Sequence, residues 1–214
     1  MSIWHKKIAG VLTTDDHLFQ SKPDLTKGRA LLRKLYEKQE TVDVYQELGG
    51  LGSIPDVTLP EIDFWVGDHY LVIDDALSFH RYRLVTFRSP AYQSINDLDL
   101  NNYRRYCRQF ESECTKSGVR DGIWTNKQAE RHFGAAATAG DFFGTGSPGW
   151  KLKAFSDFLL DIYATEAGLS LIRLPIYGNL MVGGKLERLD KLLLKGDEQS
   201  GKYIAQHITR ILAK

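Results

Sequence analysis

Three carboxylates are spaced so that they could hold a divalent cation: Glu61, Asp63 and Asp74, in the run Glu61-Ile62-Asp63-Phe64-Trp65-Val66-Gly67-Asp68-His69-Tyr70-Leu71-Val72-Ile73-Asp74-Asp75. The run predicts two short strands joined at Gly67-Asp68, because glycine tolerates the positive φ that a two-residue hairpin needs at its first turn position. Closed that way, Val66 faces His69, Phe64 faces Leu71 and Asp63 faces Val72. Successive strand residues point to opposite faces. Ile62, Phe64, Val66, Leu71 and Ile73 therefore share a core face, and Glu61, Asp63, Trp65, Tyr70, Val72 and Asp74 share the other. Cross-strand neighbours lie roughly 5 to 8 Å apart, so the three acids are the candidate metal ligands and Asp75 is turned away from them. The competing account makes them solvent-face acids and turn formers.

The hairpin must be positioned by what flanks it. Asp24 can cap a helix to about Glu40 with Leu31, Leu32, Leu35 and Tyr36 as its apolar stripe. A short helix from Thr41 to Leu48 carries Glu47, and Pro55 and Pro60 keep the approach extended. Beyond the hairpin, Arg81 to Arg88 alternates like a third strand, the reading adopted, although a helix that stops at Ser89-Pro90 is the alternative. Leu98 to Ser117 reads as one helix, with Tyr103, Cys107, Phe110 and Cys114 on its buried stripe. Arg104, Arg105 and Arg108 lie off that stripe, as a solvated face or as phosphate contacts. Thr125 is the expected cap of the next short helix. A glycine-rich loop through Gly140-Asp141-Phe142-Phe143-Gly144-Thr145-Gly146 then leads into a helix from Trp150 to Ala167. The loop lacks the Gly-Lys-Ser/Thr ending of a nucleotide-binding P-loop, although its amides could meet a phosphate at the helix start. Lys151 and Lys153 occupy that first turn, where positive charge opposes the macrodipole unless an anion is near. Leu169 to Tyr177 reads as a strand that ends or lies at an edge at Pro175, followed by helices over Lys185 to Lys195 and Lys202 to Ala213.

The chain has 214 residues, 43% hydrophobic and 26% charged, and a net charge of +1. It is expected to form one domain over 1–214, with N-terminal helices (24–48), a core (60–177) and C-terminal helices (185–214). The apolar patch Ile8 to Leu12 is too short for a secretory signal and no run is long enough to span a bilayer. The expected location is therefore the cytoplasm. Cys107 and Cys114 would stand about 10 Å apart in one helix, too far to bridge. Neither cysteine has a partner at zinc-ligand spacing.

The element order, helix, hairpin, third strand, helix and strand, places the chain in the α/β class, of α+β type. This αβββαβ order with an acid on adjacent strands resembles the restriction-endonuclease-like, or PD-(D/E)XK, nucleases. Leu71-Val72-Ile73-Asp74 with His80 and Arg83 downstream resembles the DUF559 and very-short-patch-repair-like branches. Phe79, Arg81-Tyr82-Arg83, Trp124-Thr125, Phe133-Gly134, Gly140-Asp141 and Trp150-Lys151-Leu152-Lys153-Ala154-Phe155-Ser156-Asp157-Phe158 are similar to segments of uncharacterised bacterial proteins.

The nuclease resemblance implies that Asp63 and Asp74, assisted by Glu61 or Glu47, hold Mg²⁺ or Mn²⁺, which activates water for attack on a phosphodiester. His80 would orient water or phosphate, and Arg81, Arg83, Arg104, Arg105, Lys151 and Lys153 would contact DNA. A DNA endonuclease in restriction, repair or phage defence is the activity implied, with a homodimer expected for cutting two strands. The superfamily's lysine two residues after the second acid is replaced by Ala76. The alternative is a non-catalytic binding or interaction protein on the same scaffold.

Overall fold

A computed structural model describes residues 3–13, 28–66, 68–95 and 98–213. Its contacts sort the chain into two compact units. A sheet unit is drawn from Met1–Pro23, Glu61–Asp75 and Leu169–Lys214, and a helical unit from Asp24–Pro60 and Ala76–Gly168. The α+β class holds.

In the sheet unit, β1 (Phe64–Val66) and β2 (His69–Asp74) form the expected hairpin in the expected register, Phe64 opposite Leu71, Trp65 opposite Tyr70 and Val66 opposite His69. Gly67 of its turn lies outside the described residues. β3 (Ser170–Pro175) pairs with β2 in parallel, from His69↔Ser170 to Asp74↔Pro175, giving the order β1-β2-β3 with β3 at an edge. The core of this unit sets Phe64, Val66, Leu71, Ile172 and Leu174 against Ile8 and Leu12 of α1 (Ile3–Thr13) and Ile204 and Ile208 of α10 (Glu198–Leu212). Residues 179–188, partly read as helix, instead form a second hairpin, β4 (Asn179–Val182) and β5 (Lys185–Arg188), which precedes α9 (Leu189–Lys195). The charged run Lys185 to Arg188 misled because its side chains are mostly at the surface, where periodicity carries no burial signal.

The helical unit contains α2 (Arg29–Tyr36), α3 (Gln39–Glu47), α4 (Arg81–Thr86), α5 (Leu100–Gln109), α6 (Glu111–Arg120), α7 (Lys127–Phe133) and α8 (Pro148–Glu166). The expected first helix is divided at Glu37-Lys38, and its expected cap, Asp24, lies outside the described residues. The expected third strand is α4. His80 Nδ1 accepts from the Arg83 amide and starts a helical turn, and burial falls at Phe79, His80, Arg83, Thr86 and Phe87, a three-to-four spacing that alternation obscured. Leu98 to Ser117 is two helices meeting at Phe110, with Tyr103, Cys107, Phe110 and Cys114 all buried as expected and neither cysteine in a disulfide. Asn126, not Thr125, caps α7 by accepting from Ala129; Thr125 donates to Glu130 instead. Trp150 is fully buried with Cys114 and Trp124.

Candidate functional site

The residues with chemical potential fall into two polar networks, one in each unit. In the sheet unit, Asp63 immediately precedes β1. Its Oδ2 accepts from the Ile73 amide at 2.7 Å while its own amide donates to Leu71 at 3.1 Å, so the side chain continues the ladder past the end of the strand. Its Oδ1 lies 3.0 Å from Nδ1 of His5 on α1, whose ring packs 4.4 Å from Phe64. Asp74 ends β2 at 2% exposure and accepts from Nη1 of Arg173 at 2.8 Å. Arg173, on β3, sits opposite Val72, so this is a diagonal pair across the parallel ladder. Glu61 is exposed.

This geometry places the three expected metal ligands in different surroundings. Both oxygens of Asp63 are already engaged and Asp74 neutralises a buried guanidinium. Among the described residues, no group of three His, Cys, Asp or Glu side chains is placed to hold a metal. As arranged, the donor set does not fit a divalent cation. Glu47, the expected extra carboxylate, ends α3 in the helical unit and is exposed.

In the helical unit, α8 presents Trp150, Lys153, Asp157 and Asp161 at successive turns, a spacing that puts them on one face. His80 stacks on Trp150 at 4.8 Å and 18°. It is fully buried, and burial, reinforced by the Lys153 charge, lowers its pKa to about 3. Because Nδ1 accepts from Arg83, the neutral ring carries its proton on Nε2, which has no partner. Lys153 donates to Asp157 at 2.8 Å and stands 3.5 Å from the Ser78 hydroxyl. Arg83 is buried: its Nη2 donates to Asp161 at 2.6 Å, and its Nη1 donates to Thr86 and Tyr92 at 3.1 and 2.8 Å. The Tyr92 hydroxyl donates to the same Asp161 oxygen at 2.7 Å. The Arg83–Asp161 pair, shared with Tyr92, ties α4 to α8.

The remaining expected phosphate contacts divide. Arg81 is committed to Glu111 through Nε and Nη2 at 2.9 and 2.8 Å, and Arg104 donates to the Phe87 carbonyl at 2.6 Å. Arg105, together with Arg88 and Arg108, is exposed and forms no ion pair among the described residues. Lys151 is buried. The start of α8 is closed to phosphate: Pro148 has no amide hydrogen, Gly149 donates to the Trp124 carbonyl, and Trp150 donates to the Ser147 hydroxyl.

His5, Arg173, Ser78, Asp157 and Asp161 were not anticipated. Two signals point to them in retrospect. Arg173 is a lone cation in the apolar run Leu171-Ile172-Arg173-Leu174, which a buried strand tolerates only with a counter-charge. Lys153 and Asp157 stand at helical i, i+4 spacing.

No curated protein and no solved structure matches the chain. A family model described as "Family of unknown function (DUF7255)" matches residues 43–195, which include the hairpin, α4, α8 and β3. The chain belongs to this family, DUF7255.

Proposed function

We propose that this protein is a non-catalytic binding protein on a restriction-endonuclease-like scaffold, and that it engages nucleic-acid phosphates through the exposed arginines of α5 and its approach. The scaffold reading is supported by the antiparallel β1-β2 hairpin joined to a parallel β3. α4 departs from it by standing where a third meander strand was expected. The observation that carries the non-catalytic reading is the buried Asp74–Arg173 pair, which commits the second expected metal acid to the sheet. A cation recruited there would have to displace a guanidinium and leave its charge buried, a cost of several kcal/mol (~3–5).

Arg88, Arg105 and Arg108, exposed and without an ion pair among the described residues, are the cations that support phosphate contact. Arg108 also lies in the last turn of α5, where a cation complements the helix dipole. The test is fluorescence anisotropy with a labelled duplex and a single strand across a salt series, beside a plasmid incubation with Mg²⁺ or Mn²⁺. The expected outcome is binding that weakens with salt and falls roughly tenfold in the Arg105→Ala/Arg108→Ala double variant, with no cleavage. Metal-dependent cleavage lost in Asp74→Ala would establish the nuclease reading instead, and unchanged binding by the double variant would remove α5 as the interface.

A further inference from the structure

The β4-β5 hairpin is a sheet of two strands, and no described strand pairs with the outer edge of β5. Its turn is Gly183-Gly184, with φ of 55° and 82°, the positive values at both positions that a two-residue type I′ turn requires. Such a turn closes on a hydrogen-bonded pair, here Val182 and Lys185, and these pairs recur at every second residue. Leu180 with Glu187 is the next, and Gly178 with Leu189 the one after, where the Leu189 amide donates to the Gly178 carbonyl at 2.8 Å. The amide and carbonyl of Leu186 therefore point away from β4, along the outer edge. The Leu186 residue is 65% exposed, and Met181, directly opposite on β4, is 57% exposed.

The order Lys185-Leu186-Glu187 is complementary to itself when reversed. With β5 laid antiparallel against β5 of a second copy and the two-fold axis at Leu186, that residue meets its own counterpart as a hydrogen-bonded pair. Lys185 then faces the second copy's Glu187, and Glu187 faces the second copy's Lys185. Both charge pairs fall at non-hydrogen-bonded positions, where side chains approach most closely. The turn leaves room for a neighbour, since a Cβ on Gly183 or Gly184 would meet nothing within 4 Å. Edges that stay unpaired are guarded by charge, lysine above all; here the lysine is matched, two residues on, by the acid that neutralises it across the axis. Glu187 also lies 3.3 Å from Lys195 of its own chain, a solvent-exposed pair that contributes little and leaves the carboxylate open to a second ammonium.

We propose that the edge of β5 is the interface of a homodimer in which two β4-β5 hairpins join into a four-stranded sheet. Met181 and Leu186 of both copies form an apolar strip on one face, and Lys185 and Glu187 pair across the axis on the other. The occupant is a second copy rather than a foreign peptide because β5 itself carries the complementary charges. The surface lies in the sheet unit and phosphate contact is assigned to α5 of the helical unit, so the two proposals fail independently.

Sedimentation velocity of the full chain without nucleic acid, across a concentration series, measures the monomer–dimer equilibrium. Wild type is expected to dimerise as concentration rises. Lys185→Glu and Glu187→Lys each set like charges against one another at both symmetric positions, and each is expected to weaken the dimer about tenfold or more. Mixing the two single variants restores both charge pairs in a heterodimer, and the double variant Lys185→Glu/Glu187→Lys restores them in a homodimer. Both are expected to recover association, which general damage to the surface would not do. Melting temperatures close to wild type check that the variants fold. A monomer at every concentration, a dimer that the single reversals leave unchanged, or no association in the mixture would each overturn the proposal.

Discussion

Arg83 meets Asp161, Thr86 and Tyr92 with two arms of its guanidinium, a fork that lysine lacks. Arg83→Lys is therefore expected to destabilise the protein by about 2–4 kcal/mol in urea unfolding, since Asp161 keeps one donor but loses the geometry. His80 makes a pH prediction. Its folded pKa of about 3 lies below the ordinary histidine value of 6.5, so the unfolded chain takes up its proton first. The contribution is complete above pH 6.5 and is lost progressively as pH falls towards 3, with a slope approaching ~1.4 kcal/mol per pH unit. His80→Asn keeps an acceptor for the Arg83 amide and removes the titration. Urea midpoints from pH 7 to 4 should fall more steeply for wild type than for this variant; parallel curves would show that the ring is not buried neutral.

At the scale of elements, α8 depends on a close approach. A Cβ on Gly149 would stand 1.9 Å from the Ile123 carbonyl oxygen, a backbone atom with no room to yield. Gly149→Ala is expected to cost more than 2 kcal/mol, well above the change that a helix-favouring substitution would otherwise bring, and to appear as a lowered melting temperature. Strong periodicity made α8, α10 and the β1-β2 register legible from the sequence, because their apolar residues are buried at the spacing of the element. α4 was misread because its local pattern fits two periods, and the decisive contact, the His80 cap, is a side-chain-to-backbone bond that hydrophobicity does not record. The sequence pattern places Asp74 correctly at the end of its strand, whereas Glu61 and Asp63 stand just before β1 rather than within it. Their roles were not legible, because those are set by His5 and Arg173, one far upstream of the hairpin and the other far downstream.

On the scale of the whole chain, the sheet unit is assembled from separated segments and the helical unit occupies the sequence between them. Each has its own apolar cluster, Ile8, Leu71 and Ile204 among others in one, Cys114, Trp124 and Trp150 in the other. Calorimetry is expected to resolve two unfolding components. Asp74→Asn should move one and Gly149→Ala the other, and a single transition shifted alike by both would mean that the units unfold as one. Among the described residues no helix is long and apolar enough to cross a membrane.

The parallel pairing of His69 with Ser170 has a consequence for synthesis on the ribosome. The β1-β2 hairpin emerges early, but its partner strand follows only after Ala76 to Gly168 has been made. At roughly 5–20 residues per second, the nascent hairpin waits several seconds with Asp74 unmatched and one edge open. The segments of the helical unit have all been made by then and can condense first. Arg173 therefore arrives late, and its pairing with Asp74 marks the point at which β3 locks into register.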